Sequence, residues 1–133
     1  MTDVEVVEAI YAAMAERDFD RLFELVDQSV VITQDARLPW GGRHEGHEGL
    51  GEFAVKLTGT IDSAVTIESL FAADDEVIQA GRTKGTVVAT GVPFDVAEVH
   101  RWTVRDGKAV TAHFAIDTAA MLDALAEVGE SEG

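Results

Sequence analysis

Cysteine is absent from the 133-residue sequence, and this excludes disulfide bonds, thiolate metal sites and cysteine nucleophiles. Long apolar runs are also missing, because the longest, such as residues 30–32, fall far short of the ~20 residues that cross a bilayer. The N-terminus has neither a basic nor an apolar segment, so we predict no signal peptide. Together these absences predict a cytoplasmic protein.

Positive charge is scarce. The chain has 10 basic residues against 25 acidic ones, which gives a net charge of −15. Such a surface repels phosphate backbones and anionic lipids, so we expect binding neither to nucleic acid nor to membranes. The acidic bias is typical of a solubilising surface, and a dedicated cationic partner is the alternative.

The order of predicted elements is helices first and strands afterwards. A chain of this length with 47% apolar residues predicts one globular domain, residues 1–126, followed by a flexible tail over 127–133. Apolar residues at spacings of three and four predict a helix over 4–16 with Asp3 as its N-cap. Further predictions are a short helix after residue 18, a strand over 28–33, a loop over 35–51, a helix from about 50 to 57, strands over 61–72, 76–90, 94–105 and 108–116, and a last helix within 117–128.

Helices followed by an antiparallel meander indicate an α+β fold. The Asp106-Gly107 pair between two alternating strands is the strongest hairpin signal in the chain. If the sheet is strongly curved and wraps against the N-terminal helices, it forms a cone with a closed apolar end and an open mouth. Small ligands bind in such mouths.

One strand places two titratable side chains on an otherwise apolar face. Alternation over 94–105 puts Glu98 and His100 on the same side as Trp102. The hairpin brings this side next to one side of the following strand, and we expect the combined face to point inward. A slip of one residue in register would exchange the two faces. The predicted inward set is Val96, Glu98, His100, Trp102, Val104, Val110, Ala112, Phe114 and Ile116.

The Glu98–His100 pair suggests acid–base chemistry. Residues two apart on one strand face lie about 7 Å from each other, so we expect the carboxylate to raise the pKa of the imidazole. A histidine in an apolar pocket can act as general base or acid, or orient a ligand carbonyl. The alternative is a core histidine that is simply hydrogen-bonded to a neighbour.

Several segments resemble one known family. They are IYAAMAERDFDRLFELV, LPWGGRHEGHEGLGEF, QAGRTKGTVVATGVPFDV, HRWTVRDGKAV and FAIDTAAML, and together they extend over residues 4–126. The chain resembles the SnoaL-like polyketide cyclases and ketosteroid-isomerase-related proteins of the nuclear transport factor 2 superfamily. The resemblance implies a cystatin-like roll, an apolar small-molecule ligand, no cofactor and a homodimer. It is specific for the fold and much less so for the activity.

The resemblance also implies roles for single residues. His100 falls where the family usually has a polar or acidic group inside the cone, which in ketosteroid isomerase donates to the developing oxyanion. The general base of the isomerase falls on Gln34, and Asp35 could take that role if a bulge re-aimed it. The isomerase tyrosine aligns nearer Ile10 than Tyr11. The aspartate that many cyclases have in the last strand is missing from the run 113–115.

The candidate site follows from both lines of reasoning. We expect His100, Glu98 and Asp35 to be catalytic. The expected substrate-binding residues are Tyr11, Gln34, Trp40, Phe53, Trp102 and Phe114, with Trp40 acting either as a lid over the pocket or as a packing plug.

Other polar residues have simpler explanations. His44 and His47 match no metal signature, so we expect a solvated loop there and no metal site. Asp117 reads as a helix N-cap. Arg82 is expected to pair with an acid inside the chain or across an oligomer interface.

Two functional hypotheses remain open. The first is a cofactor-free isomerase or cyclase that acts by proton transfer next to a carbonyl of an apolar substrate. The second is a non-catalytic ligand-binding or dimeric scaffold module of the same fold. In either case a homodimer would use the outer sheet face around Val99, Thr103 and Thr111.

Overall fold

The computed structural model of the protein describes residues 1–127, so the predicted tail over 127–133 lies outside the described residues apart from its first position. The helices are α1 (Asp3–Glu16), α2 (Phe19–Leu25), α3 (Gly46–Thr60) and α4 (Thr118–Ala126). The strands are β1 (Val26–Gln34), β2 (Gly42–Glu45), β3 (Ile61–Ala73), β4 (Glu76–Val87), β5 (Pro93–Arg105) and β6 (Lys108–Ile116). No helix among them is long and apolar enough to cross a membrane.

The six strands form one curved sheet in the order β2-β1-β6-β5-β4-β3. All neighbours are antiparallel except β1 and β6, which run parallel. Helices α1, α2 and α3 contact this sheet, which confirms the predicted α+β cone. The parallel β1–β6 pair was not predicted, because it joins segments that are about 80 residues apart in the sequence.

The curvature has a local cause in β4. A Cβ atom at Gly81 would lie 2.0 Å from the carbonyl oxygen of Thr66, and one at Gly85 would lie 2.0 Å from that of Asp62. The backbone of β3 therefore approaches β4 at two points where only glycine leaves room. A register shift in β3 between Ile67 and Ser69 lies beside the first of them. Together these features bend the outer strands over the concave face.

The predicted inward face of β5 is confirmed. Every even-numbered residue from Phe94 to Val104 is buried, whereas the odd-numbered ones are exposed or half-buried. Asp106 and Gly107 both have positive φ, at 52° and 77°, as the predicted Asp-Gly turn requires.

One member of the predicted inward set is wrong. A bulge beside this turn pairs Val104 with Ala109, so Ala109 is fully buried in the place that simple alternation assigns to Val110. Val110 itself is only half-buried.

The structure also corrects several predicted boundaries, including those of β1, which begins at Val26, and β4, which ends at Val87. The N-cap of α1 is Thr2 and not Asp3, because Thr2 and Glu5 satisfy each other's backbone N–H groups in a capping box. Helix α3 begins at Gly46 and not near residue 50, and strand β2 precedes it inside the predicted loop. Gly42 and Gly46 read as loop residues, but their positive φ angles bracket this short strand. The predicted capping by Asp117 is confirmed by its bond to the Ala120 N–H.

Candidate active site in the cone

A large cavity lies between the helices and the concave face of the sheet. Its volume is about 1020 Å³, which is enough for a drug-sized ligand. The wall is mostly apolar. The polar side chains that line its interior and are themselves buried are few: Tyr11, Gln34, Thr83 and His100.

Tyr11 of α1 and His100 of β5 form the centre of this polar wall. The Tyr11 hydroxyl lies 2.7 Å from Nδ1 of His100, and their rings are stacked at 6.0 Å. The same hydroxyl accepts from Nε1 of Trp102 at 3.0 Å and from Nε2 of Gln79 at 3.4 Å. Because indole and amide nitrogens only donate, the hydroxyl hydrogen has Nδ1 as its one acceptor. His100 is therefore a neutral imidazole that carries its proton on Nε2.

Burial keeps this imidazole neutral. It lowers the pKa of His100 from 6.5 to about 3, with a smaller contribution in the same direction from the charge of His113. The expectation that Glu98 raises this pKa is wrong. Nε2 of His100 lies 3.5 Å from Oε1 of Glu98, too long for a strong bond, and the loss of hydration outweighs the attraction.

Glu98 lies behind His100 and does not line the cavity. Its side chain is fully inaccessible. Nε2 of Gln79 donates to its Oε2 at 2.5 Å, and the Thr83 hydroxyl contacts its Oε1. Burial raises the pKa of Glu98, and the hydrogen bonds from Thr83 and Gln79 oppose that rise. The carboxyl and the imidazole are thus both shifted toward their neutral forms.

Gln79 and Thr83 were missed by the sequence reasoning. Both are buried and lie on the inward face of β4, and Gln79 is paired directly across from His100. The sequence places Val77, Gln79 and Thr83 on one face of β4, which was the available signal. Without the β4–β5 register, however, it does not show that this face meets Glu98 and His100. Within the described part of the chain, Oε1 of Gln79 is the buried side-chain atom without a hydrogen-bond partner.

The aromatic candidates form the remaining wall. Phe114 contacts three other rings edge-on or tilted, those of Phe53, His100 and Trp102, with centroids 4.7–5.6 Å apart. Trp40 is only 1% exposed, and its Nε1 donates to Oε1 of Gln34 at 2.8 Å. Of the two alternatives for Trp40, the structure favours the packing plug over the lid.

The sequence of this chain also matches the model of a known protein family. The model of the SnoaL-like domain matches residues 7–112. The chain belongs to the SnoaL-like family. No curated protein shows significant sequence similarity to it.

Solved structures share the SnoaL-like fold over almost the whole chain. An NTF2-like protein from Burkholderia thailandensis is 26% identical, with a TM-score of 0.87, and the match covers 96% of this chain and 99% of that one. An NTF2-like protein of unknown function from Burkholderia pseudomallei is 22% identical, with a TM-score of 0.87 and coverage of 96% and 100%. TerC, co-crystallised with polyporic acid, is 24% identical, with a TM-score of 0.85 and coverage of 93% and 98%.

Asp35 of this SnoaL-like chain does not join the other candidates. It follows β1 and pairs with Arg37, whose Nη2 lies 2.7 Å from its Oδ2, and it is not among the cavity-lining residues. The side-chain and backbone bonds from Arg37 lower the pKa of Asp35 to about 2. No bulge turns it inward. Gln34 occupies the inward position at the end of the strand, as the resemblance implied.

The loop histidines are structural, and the expectation of a solvated loop was wrong for them. Nε2 of His44 lies 3.0 Å from the carbonyl oxygen of Trp40, and Nε2 of His47 lies 2.8 Å from that of Val26. His44 is buried and His47 is half-buried. The open question about Arg82 is answered within the chain, because its Nε lies 2.5 Å from Oδ1 of Asp95.

Proposed function

We propose that this SnoaL-like protein binds an apolar small molecule that carries a carbonyl group, and that it catalyses a cofactor-free proton shift next to that carbonyl. Isomerisation and aldol-type cyclisation are both reactions of this kind. One observation carries the proposal. His100 lines a large apolar cavity, and its Nδ1 is already engaged by Tyr11, so Nε2–H is the ring group that is left for a ligand.

A neutral imidazole suits this chemistry as a hydrogen-bond donor. Its Nε2–H would bond to the substrate oxygen and stabilise the negative charge that develops there when a neighbouring C–H bond breaks. The apolar wall strengthens that interaction, because little water competes for the oxygen. A neutral histidine performs the same task in triosephosphate isomerase, where its pKa is likewise lowered.

The residues around His100 support its position. Tyr11 fixes the ring and its tautomer, and Phe114 and Trp102 pack against the network. The aromatic wall favours a flat, ring-containing substrate, because stacked and edge-on contacts add to the burial of apolar area. TerC was co-crystallised with polyporic acid, which makes that compound a reasonable first probe of binding.

A second candidate function is passive ligand binding. The carboxylates that line the cavity are Glu8 and Asp62, and both are exposed to solvent. Among the described residues no carboxylate meets the interior of the cavity directly, and the expected base Asp35 points elsewhere. A binding module with a polarising donor and no base would hold a carbonyl compound without transforming it.

Deuterium incorporation separates the two candidates. A bicyclic aromatic ketone such as 1-tetralone is incubated with the protein in D₂O, and loss of the proton signal next to the carbonyl is followed by NMR. We expect His100→Phe to retain binding and to lose about 10²-fold in the exchange rate, as expected for removal of one oxyanion donor. Thr66→Val, which changes an exposed residue of β3, serves as the matched control.

Each outcome of this experiment is informative. Exchange that is catalysed by the wild type and by Thr66→Val but not by His100→Phe supports the enzyme. Binding of the ketone and of polyporic acid without any catalysed exchange supports the passive module. Exchange that is unaffected by the loss of the imidazole contradicts the role proposed for His100.

A further inference from the structure

Glu98 is sealed from the cavity, yet one of its oxygens touches a residue that lines it. The side chain of Glu98 is 0% exposed, and its Oε1 contacts the hydroxyl of Thr83. Thr83 is 9% exposed and belongs to the cavity wall. A single hydroxyl group therefore separates a buried carboxyl from any ligand in the cone.

The other oxygen of Glu98 is closed to proton exchange. Oε2 accepts a hydrogen bond from Nε2 of Gln79 at 2.5 Å, and an amide nitrogen cannot accept a proton in return. Gln79 is itself fully buried, and Gly81 leaves room for its amide, since a Cβ there would lie 2.5 Å from its Oε1. Any proton on Glu98 is thus confined to Oε1, the oxygen that contacts the Thr83 hydroxyl and lies 3.5 Å from Nε2 of His100.

We propose that Glu98 exchanges a proton with the bound ligand through the hydroxyl of Thr83. This inference rests on the proposed function and supplies the base that the cavity wall lacks. A hydroxyl can accept one hydrogen bond while it donates another, so it can pass a proton without holding a charge. His100 polarises the carbonyl, and Glu98 acts through Thr83 on the neighbouring C–H group.

The proton balance of the step is complete without another reactant. The ligand C–H bond breaks as its proton moves to Oγ1 of Thr83, and the Thr83 hydroxyl proton moves to Oε1 of the Glu98 carboxylate. The ligand becomes an enolate whose oxygen accepts from Nε2–H of His100, and Glu98 becomes a neutral carboxyl. Reversal of the same two transfers at another carbon of the ligand gives the isomer and restores the carboxylate.

The surroundings of Glu98 suit this task. Burial raises the pKa of Glu98, which makes its carboxylate a stronger base than an exposed one. The neutral carboxyl that forms is the form that an apolar site tolerates best. The bond from Gln79 remains in both protonation states, so the group has no need to reorient between the two transfers.

The proposal can be tested without turnover by infrared spectroscopy. The C=O stretch of the neutral Glu98 carboxyl shifts when its proton is replaced by deuterium, and Glu98→Gln assigns that band by removing it. The protein is mixed into D₂O at mildly acid pH and the shift is followed in time. We expect rapid exchange in the wild type, and in Thr83→Val a rate that falls to that of local opening of the fold.

Thr83→Ser distinguishes a relay from a merely structural contact. Serine restores the hydroxyl and should restore rapid exchange, whereas loss of packing alone would make both variants exchange faster than the wild type. Circular dichroism establishes that each variant is folded. Exchange in Thr83→Val as fast as in the wild type would overturn the proposal, as would a Thr83→Ser protein that exchanges as slowly as Thr83→Val.

The ketone assay then shows whether the relay serves catalysis. With 1-tetralone in D₂O we expect Thr83→Val to lose about 10²-fold in kcat with little change in KM, and Thr83→Ser to recover most of it. Slow infrared exchange in Thr83→Val, combined with no turnover by any variant, would contradict the proposed catalysis but support the proton path. Turnover that is insensitive to Thr83→Val would contradict a catalytic role of the Thr83 path but would not affect the role proposed for His100.

Discussion

The neutral state of His100 should make the stability of the protein depend on pH in a defined way. The pKa of this histidine falls from 6.5 in the unfolded chain to about 3 in the folded one, mainly because the ring is buried. Between these values the unfolded state binds a proton that the folded state does not. The contribution of the neutral His100 to the free energy of unfolding is therefore fully present above the unfolded pKa of 6.5, and it is lost as the pH falls toward the folded pKa of about 3.

The size of the effect follows from the same two values. Each pKa unit corresponds to about 1.4 kcal/mol, but the unfolding free energy changes by this full amount per pH unit only when the pH is below the pKa of the unfolded histidine. At about pH 5 the unfolded histidine is almost fully protonated while the folded one stays neutral. The wild type should therefore have lost about 2 kcal/mol of unfolding free energy relative to neutral pH through His100 alone.

The assay compares the wild type with His100→Gln, which cannot take up a proton at this site. Urea unfolding, followed by the fluorescence of the buried Trp40 and Trp102, is measured from about pH 8 down to about pH 5. The difference between the two proteins removes contributions that they share. Those include Glu98, whose raised pKa has the opposite sign, with stability lost as the pH rises above its unfolded value of 4.5.

Two results would refute the reasoning. One is a difference in unfolding free energy between wild type and His100→Gln that does not change with pH. The other is an NMR titration in which the imidazole of His100 takes up its proton near 6.5. Either result would mean that the ring is hydrated, and the neutral donor proposed for the site would be lost with it.

Two further predictions test the network and the outer face. Tyr11→Phe leaves Nε1 of Trp102 without a partner and removes the shorter of the two hydrogen bonds at Nδ1 of His100, so we expect a loss of roughly 2–4 kcal/mol in urea unfolding, and a variant as stable as the wild type would contradict the network. We also propose a homodimer through the outer sheet face, where Val99 is 44% exposed. Val99→Lys should then sediment as a folded monomer, whereas a monomeric wild type would exclude that interface.

The orientation of β5 was predictable because two local signals agree. Strict alternation defines an apolar face, and the Asp106-Gly107 turn sets the register with β6. The deviation at Val110 was not predictable, since a bulge changes the parity of one strand without leaving a mark in composition. Strand β2 was not predictable either, because Gly42 at its start and Gly46 just after its end are residues typical of a loop.

The chemistry of the site was less predictable than its location. Glu98 and His100 were found from one strand, but the sign of the histidine pKa shift depends on burial, which is a property of the whole fold. Gln79 and Thr83 belong to a different strand and meet Glu98 only through the β4–β5 pairing. Asp35 was misjudged because a neighbouring arginine in the loop satisfies it better than the cavity could.

The energetics of the buried polar network formed by Tyr11, Gln79, Thr83, Glu98 and His100 indicate a functional role. Burial disfavours the charged forms of both Glu98 and His100, so the pair gains little from ion-pair attraction, and an apolar core of the same volume would stabilise the fold at least as well. The unpartnered Oε1 of Gln79 costs a further ~1–3 kcal/mol. His100 and Thr83 are members of this network that also line the cavity, so a ligand oxygen or an acidic C–H could engage them. A ligand that binds there therefore satisfies groups that the folded protein alone leaves incompletely bonded.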